Sequence, residues 1–142
     1  MKQIQSSAHW SGGLKDGKGT ISTGSGAIAG QPYSFGMRFG DDPGTNPEEL
    51  IAAAHASCFS MALSAQLGER GMTAESIDTT ATVTLEKTDA GFTVTKSHLD
   101  VAVRVPGGDA NAFAEAANAA KKGCPISRLL NAEITMDARL EA

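Results

Sequence analysis

The sequence predicts an α+β domain, and three observations predict it. Short runs broken by turn signals mark strands in residues 7–39, and period-two alternation of apolar and polar residues marks them in residues 77–105 and again near the end. A long stretch rich in Ala, Leu, Met and Ser follows helix-start chemistry at Asn46-Pro47. A second helical pattern opens at Asp109, after Pro106-Gly107-Gly108 has ended a strand. The order read from these signals is βββ-α-ββ-αα-β in one domain, residues 1–142.

Taken in order, Ala8-His9-Trp10 is a first strand, closed by Ser11-Gly12-Gly13 and the turn signal Lys15-Asp16-Gly17. Residues 19–23 form a second, residues 24–31 a loop, and residues 33–39 a third, which makes an antiparallel meander. The long helix runs from Pro47 to about Glu69 and stops at Gly71, a natural left-handed terminator. Glu49, three residues after Asn46, completes a capping box. Residues 77–86 place Thr79, Ala81, Val83 and Leu85 on one face, and Thr88-Asp89-Ala90-Gly91 turns the chain back. In the return strand, residues 92–105, the side-chain parity switches near Lys96 to His98, which reads as a bulge. Residues 110–122 form a helix with Phe113, Ala116, Ala117 and Ala120 as its apolar stripe. Gly123 ends it, Cys124 caps a short helix to about Leu130 with Pro125 in its first position, and Ile134, Met136, Ala138 and Leu140 alternate in a last strand.

The long helix is apolar on nearly every side, the pattern of a buried helix. Its proline-free run from Leu50 to Leu63 is short for a membrane span and is interrupted by Ser and His. One sheet covers only one face of such a helix, so a second subunit is expected to cover the rest.

Composition excludes some functions. A net charge of −4 argues against a protein that tracks nucleic-acid phosphates. Met1 to Ser6 contains no apolar run of a secretory signal, and two cysteines without one favour a reducing compartment, so the expected location is the cytoplasm.

Those two cysteines are the candidates for chemistry. Cys58 lies in the middle of the long helix, where the helix dipole does not act; it is either an inert buried thiol or a nucleophile activated by a cation from elsewhere. Cys124, at a helix cap, would face unpaired N–H groups that favour a thiolate, or it is simply a turn residue before proline. A separation of 66 residues fits no zinc spacing. His55, three residues before Cys58, reads better as a satisfied core histidine than as half of a metal site. Arg38, in the third strand, is either a solvent-facing residue or a guanidinium aimed at a thiolate. Glu48 and Glu49 suit a helix N-terminus, and one of them can also fix an arginine in a bidentate pair.

Thr45-Asn46-Pro47-Glu48-Glu49-Leu50, Ala54-His55-Ala56-Ser57-Cys58-Phe59-Ser60-Met61-Ala62-Leu63 and Gly123-Cys124-Pro125-Ile126-Ser127 together resemble the OsmC/Ohr peroxidase family, and the likeness runs almost end to end. The resemblance implies antiparallel sheets wrapped around long central helices in an intertwined homodimer. It also implies a thiol-dependent peroxidase acting on organic hydroperoxides, with a lipoyl-type dithiol as reductant and no metal or organic cofactor. Cys58 matches the family's peroxidatic cysteine, Cys124 the resolving one, and Arg38 and Glu48 its arginine and glutamate. In the Ohr branch the arginine lies in the first hairpin; here that hairpin, residues 12–17, has none, which favours the OsmC branch and Arg38.

Spacing adds one expectation. Ten residues separate Glu48 from Cys58 in one helix, about 15 Å along its axis. Glu48, and Arg38 with it, are therefore expected to reach Cys58 from the partner subunit. Two other functions use the same residues: a non-enzymatic thiol redox sensor, and a carrier of apolar ligands in which the thiols are incidental.

Overall fold

The computed structural model describes residues 1–141, and these fall into two compact units that divide after Leu50. The observed order is β1 (Ser6–Ser11), β2 (Lys18–Thr23), β3 (Gln31–Tyr33), α1 (Phe35–Phe39), α2 (Pro47–Glu69), β4 (Ser76–Thr88), β5 (Gly91–Arg104), α3 (Ala110–Gly123), α4 (Pro125–Leu129) and β6 (Glu133–Glu141).

In the first unit β2 lies between β1 and β3, antiparallel to both, as the meander predicts. Trp10 and Tyr33 meet over Gly19 at the centre of this sheet, with ring centroids 5.5 Å apart. A Cβ at Gly19 would collide with both rings, so the sheet needs glycine there. The expected third strand over residues 33–39 is corrected: β3 ends at Tyr33, and Arg38 belongs to the one-turn helix α1. Local chemistry decides this against the apolar, aromatic pattern. The Ser34 hydroxyl accepts from the Met37 N–H at 3.3 Å as an N-cap. Phe35 and Phe39, four residues apart, then pack ring on ring at 5.1 Å.

Asn46 joins α1 to the start of α2. Its Oδ1 accepts from the Glu49 N–H at 2.8 Å, while its amide nitrogen donates to the Met37 carbonyl at 3.1 Å.

The second unit holds a sheet in the order β4-β5-β6. It is mixed, which corrects the expectation of antiparallel sheets throughout: β4 and β5 form an antiparallel hairpin, but β6 runs parallel to β5. The α3–α4 segment is the crossover that a parallel pair requires. The bulge is present with Thr95 as the extra residue, since Thr84 pairs with Lys96 and Leu85 with Val94. Beyond it Ser97, Leu99, Val101 and Val103 point into the core. They stand opposite Val83, Ala81, Thr79 and Ile77 of β4. Thr79 tolerates its inward position because its hydroxyl bonds that of Ser60 at 2.7 Å.

Helix α2 ends as Gly71 predicts, with φ +73° and the Met72 N–H bonded to the Leu67 carbonyl. Within the chain it buries a single ridge, His55, Phe59, Leu63 and Leu67, at i, i+4 spacing. The chain thus covers one side of the helix, as expected of a single sheet, and Met61 remains 77% exposed. At 23 residues α2 is also long and apolar enough to cross a membrane by length and composition, contrary to the estimate from the run 50–63 alone. Core helices meet the same criterion, and the ridge of α2 packs with β5, α3 and Cys124 in one apolar cluster.

Replacing Gly19 with Ala is expected to destabilise the first unit by about 1–3 kcal/mol through overpacking against Trp10 and Tyr33. Faster hydrogen exchange of the Trp10 and Ile21 amides, with β5 unchanged, is the outcome that checks it.

Candidate active site

Two pairs of predicted residues are brought together, one in each unit. In the second unit the pair is Cys58 and Cys124. Asp109 accepts from the Ala112 N–H and starts α3, whose alanine stripe buries Ala116, Ala117 and Ala120. Its end coincides with the next beginning, because Cys124 caps the C-terminus of α3 and the N-terminus of α4 at once. Pro125, at the first position of α4, fixes the backbone there without losing a needed donor.

The Ser127 N–H donates to Cys124 Sγ at 3.4 Å. The Ile126 backbone and the Cys124 side chain lie near enough to Cys58 to shift its pKa. Both are free cysteines; Cys58 is half-buried, whereas Cys124 is sealed. Burial pushes the Cys58 pKa up, the neighbouring Cys124 thiol adds to the rise, and the Ile126 backbone opposes it. The surroundings in the single chain therefore favour the thiol over the thiolate. A nucleophilic Cys58 needs a cation.

In the first unit the pair is Arg38 and Glu48. Arg38 Nε donates to both Glu48 carboxylate oxygens, at 3.2 and 3.1 Å, and Nη2 donates to Oε1 at 2.7 Å. The bond to Glu48 raises the Arg38 pKa, and the guanidinium also sits over the Phe39 ring, 5.2 Å from its centroid. Glu48 is nearly covered while Arg38 is about one-third exposed, at 12% and 37% of their side-chain surface. Such a fork fixes the direction in which the remaining guanidinium donors point. Beside it opens a cavity of about 270 Å³ lined by Trp10, Leu14, Tyr33, Ser34, Phe35, Arg38 and Phe39. Its walls are largely apolar and aromatic.

His55 is a satisfied core histidine, as expected, and among the described residues no group of His, Cys, Asp and Glu could hold a metal. The partners of His55 were not legible. Its Nδ1 bonds Ser97 Oγ at 2.6 Å and its Nε2 bonds Ser127 Oγ at 2.7 Å, both in the buried interior. The only sequence signals for them were a serine within the valine-rich β5 pattern and a serine three residues after Cys124.

Residues 40–139 match the model of the OsmC-like protein family. The chain is 58% identical over 135 residues to "Peroxiredoxin OsmC" of Escherichia coli (strain K12), covering 95% of this chain and 94% of that one. It is 32% identical over 99 residues to "Organic hydroperoxide resistance protein OhrB" of Bacillus subtilis (strain 168), 69% of each chain. Among solved structures, an OsmC-like protein from Vibrio cholerae superposes with a TM-score of 0.79 at 18% identity, covering 98% of this chain and 100% of the other, a likeness of fold alone. The crystal structure of Bacillus subtilis OhrB gives a TM-score of 0.67 at 25% identity, over 96% and 98% of the two chains. A dithiol protein of α+β architecture is what fold and site define. The chain belongs to the OsmC family.

Burial lowers the pKa of His55, so the folded protein keeps it neutral where the unfolded chain already takes up a proton. Stability from this group is complete above the unfolded value, about 6.5, and falls as pH drops below it. Urea unfolding at pH 7.5 and 5.5 should show a loss at the lower pH that is smaller in His55→Gln.

Proposed function

We propose that this protein is a cysteine-based peroxidase that reduces organic hydroperoxides to alcohols. The observation that carries the reading is a half-buried free thiol, Cys58, packed against the apolar cluster that contains a second, sealed free thiol, Cys124, near enough to shift its pKa. Its family supports the same reading, through relatives named for peroxiredoxin activity and organic hydroperoxide resistance.

The chemistry follows from the sulfurs. The Cys58 thiolate attacks the distal peroxide oxygen, the O–O bond breaks, and the alkoxide leaves as an alcohol after taking a proton. Cys58 is left as a sulfenic acid. Cys124 then attacks that sulfur; the S–S bond forms, the S–O bond breaks and water leaves. An external dithiol of lipoyl type restores both thiols through a mixed disulfide. Buried Cys124 escapes direct oxidation, and it lies near enough to Cys58 to raise that thiol's pKa, so the second step joins neighbouring residues.

Arg38 supplies the cation that Cys58 lacks, stabilising the thiolate and orienting the peroxide, with Glu48 holding the guanidinium. The apolar cavity beside Arg38 suits an alkyl group better than a hydrogen peroxide molecule. The working unit is an intertwined homodimer, in which Arg38 and Glu48 of one copy serve Cys58 of the other. Two features support this: α2 runs unbroken between Glu48 and Cys58, and in one chain most of its apolar residues are only partly covered, with Met61 exposed. The reducing cytoplasm is the compartment in which such thiols are regenerated.

Activity with tert-butyl hydroperoxide and dihydrolipoamide tests the whole reading. Arg38→Met should lower kcat/KM about 100-fold or more and move its pH profile upward, because the thiolate loses its counter-charge. Arg38→Met and Cys58→Ser homodimers should each be nearly inactive, yet activity should reappear when the two chains are unfolded together and refolded as mixed dimers. Mixed dimers as inactive as their parents would refute the exchange of Arg38 and Glu48 between copies.

A further inference from the structure

A line of buried hydrogen bonds leads away from Cys124. Cys124 Sγ donates to Ser127 Oγ at 3.2 Å, Ser127 Oγ contacts His55 Nε2 at 2.7 Å, and His55 Nδ1 contacts Ser97 Oγ at 2.6 Å. Cys124, His55 and Ser97 have no exposed surface, and Ser127 has very little. The donors follow one direction. With the thiol donating to Ser127 Oγ, the Ser127 hydroxyl is left to donate to Nε2. A neutral His55 then carries its proton on Nδ1 and donates to Ser97.

The resolving step needs such a path. Cys124 reacts as a thiolate, it is sealed from water, and Ser127 Oγ is the group already accepting its proton. We propose that Ser127 and His55 form a proton relay that deprotonates Cys124 as it attacks the Cys58 sulfenic acid. This rests on the peroxidase reading above. In the step, the Cys124 proton passes to Ser127 Oγ while the Ser127 proton passes to His55 Nε2. Cys124 sulfur bonds Cys58 sulfur, the Cys58 S–O bond breaks, and the departing hydroxide receives the proton back from the imidazolium through Ser127. The sum is one sulfenic acid and one thiol giving one disulfide and one water. No outside oxidant or reductant enters.

The fold arranges each member separately. The N-cap turn of α4 presents the Ser127 N–H and hydroxyl to the same sulfur. The α2 ridge brings His55 to the interior, and the alternation of β5 beyond the Thr95 bulge turns Ser97 inward to fix the ring. Ser97 touches Cys124 only through His55, so it acts as a positioning residue.

Rapid-quench experiments with an alkyl hydroperoxide separate the two steps, using a dimedone trap for sulfenic acid and intact mass for the disulfide. In Ser127→Ala, closure should slow by about 10–100-fold relative to sulfenic acid formation, with sulfinic acid accumulating as excess peroxide competes. Ser127→Thr, which restores the hydroxyl, should restore closure. Ser97→Ala should slow closure in the same sense, and it reads the relay from its far end if Ser127→Ala does not fold. Wild-type closure in a folded Ser127→Ala or Ser97→Ala protein would overturn the relay while leaving the peroxidase reading intact. Failure of the wild type to form any sulfenic acid would overturn both.

Discussion

The Ser127 amide and hydroxyl hold the Cys124 sulfur at the start of α4, and the rest of the site depends on that arrangement. A helix N-terminus offers unpaired N–H groups that must find acceptors. Here Cys124 is the cap, so the usual oxygen acceptor is replaced by sulfur. Pro125 makes the turn rigid, α3 delivers the chain to it, and β6 carries the chain back beside β5. The placement of Cys124 is thus built into local backbone geometry. A disulfide between Cys58 and Cys124 would staple α2 to α4, two elements already packed in one apolar cluster.

Much of this was written locally. Asn46-Pro47, Asp109, Cys124-Pro125 and Gly71 all mark helix ends by short-range chemistry, and each end falls where its residue requires. Residues 33–39 were misread for an instructive reason. Phe, Met and Arg separated by glycine suit a pleated strand, but a serine cap and an i, i+4 pair of phenylalanines favour one turn of helix. The parallel placement of β6 could not be read, because alternation in a strand says nothing about the direction of its neighbour. The partners of His55 lie 42 and 72 residues away, and only the tertiary fold brings those serines to the ring.

Helix α2 poses the remaining physical problem. Its composition is apolar on all sides, yet a single chain buries one ridge of it. Exposed apolar helix surface drives association, at roughly 25 cal/mol for each Å² removed from water. The burial that raises the Cys58 pKa also makes a counter-charge more effective once it arrives, since charges interact more strongly where water is excluded. In the proposed dimer the Arg38 guanidinium, oriented by Glu48, fills that role. Dimerisation and thiol activation are in this way one proposal with a shared cause, the uncovered surface of a helix with a cysteine at its centre.

The division of labour between the two sulfurs is the central claim, and intact mass tests it most directly. One equivalent of an alkyl hydroperoxide should remove two hydrogens from the wild-type chain and add one oxygen to Cys124→Ser. That pair of results establishes Cys58 as the attacking sulfur and Cys124 as the one that resolves it. If neither mass changes within seconds, both thiols are structural and the account is wrong.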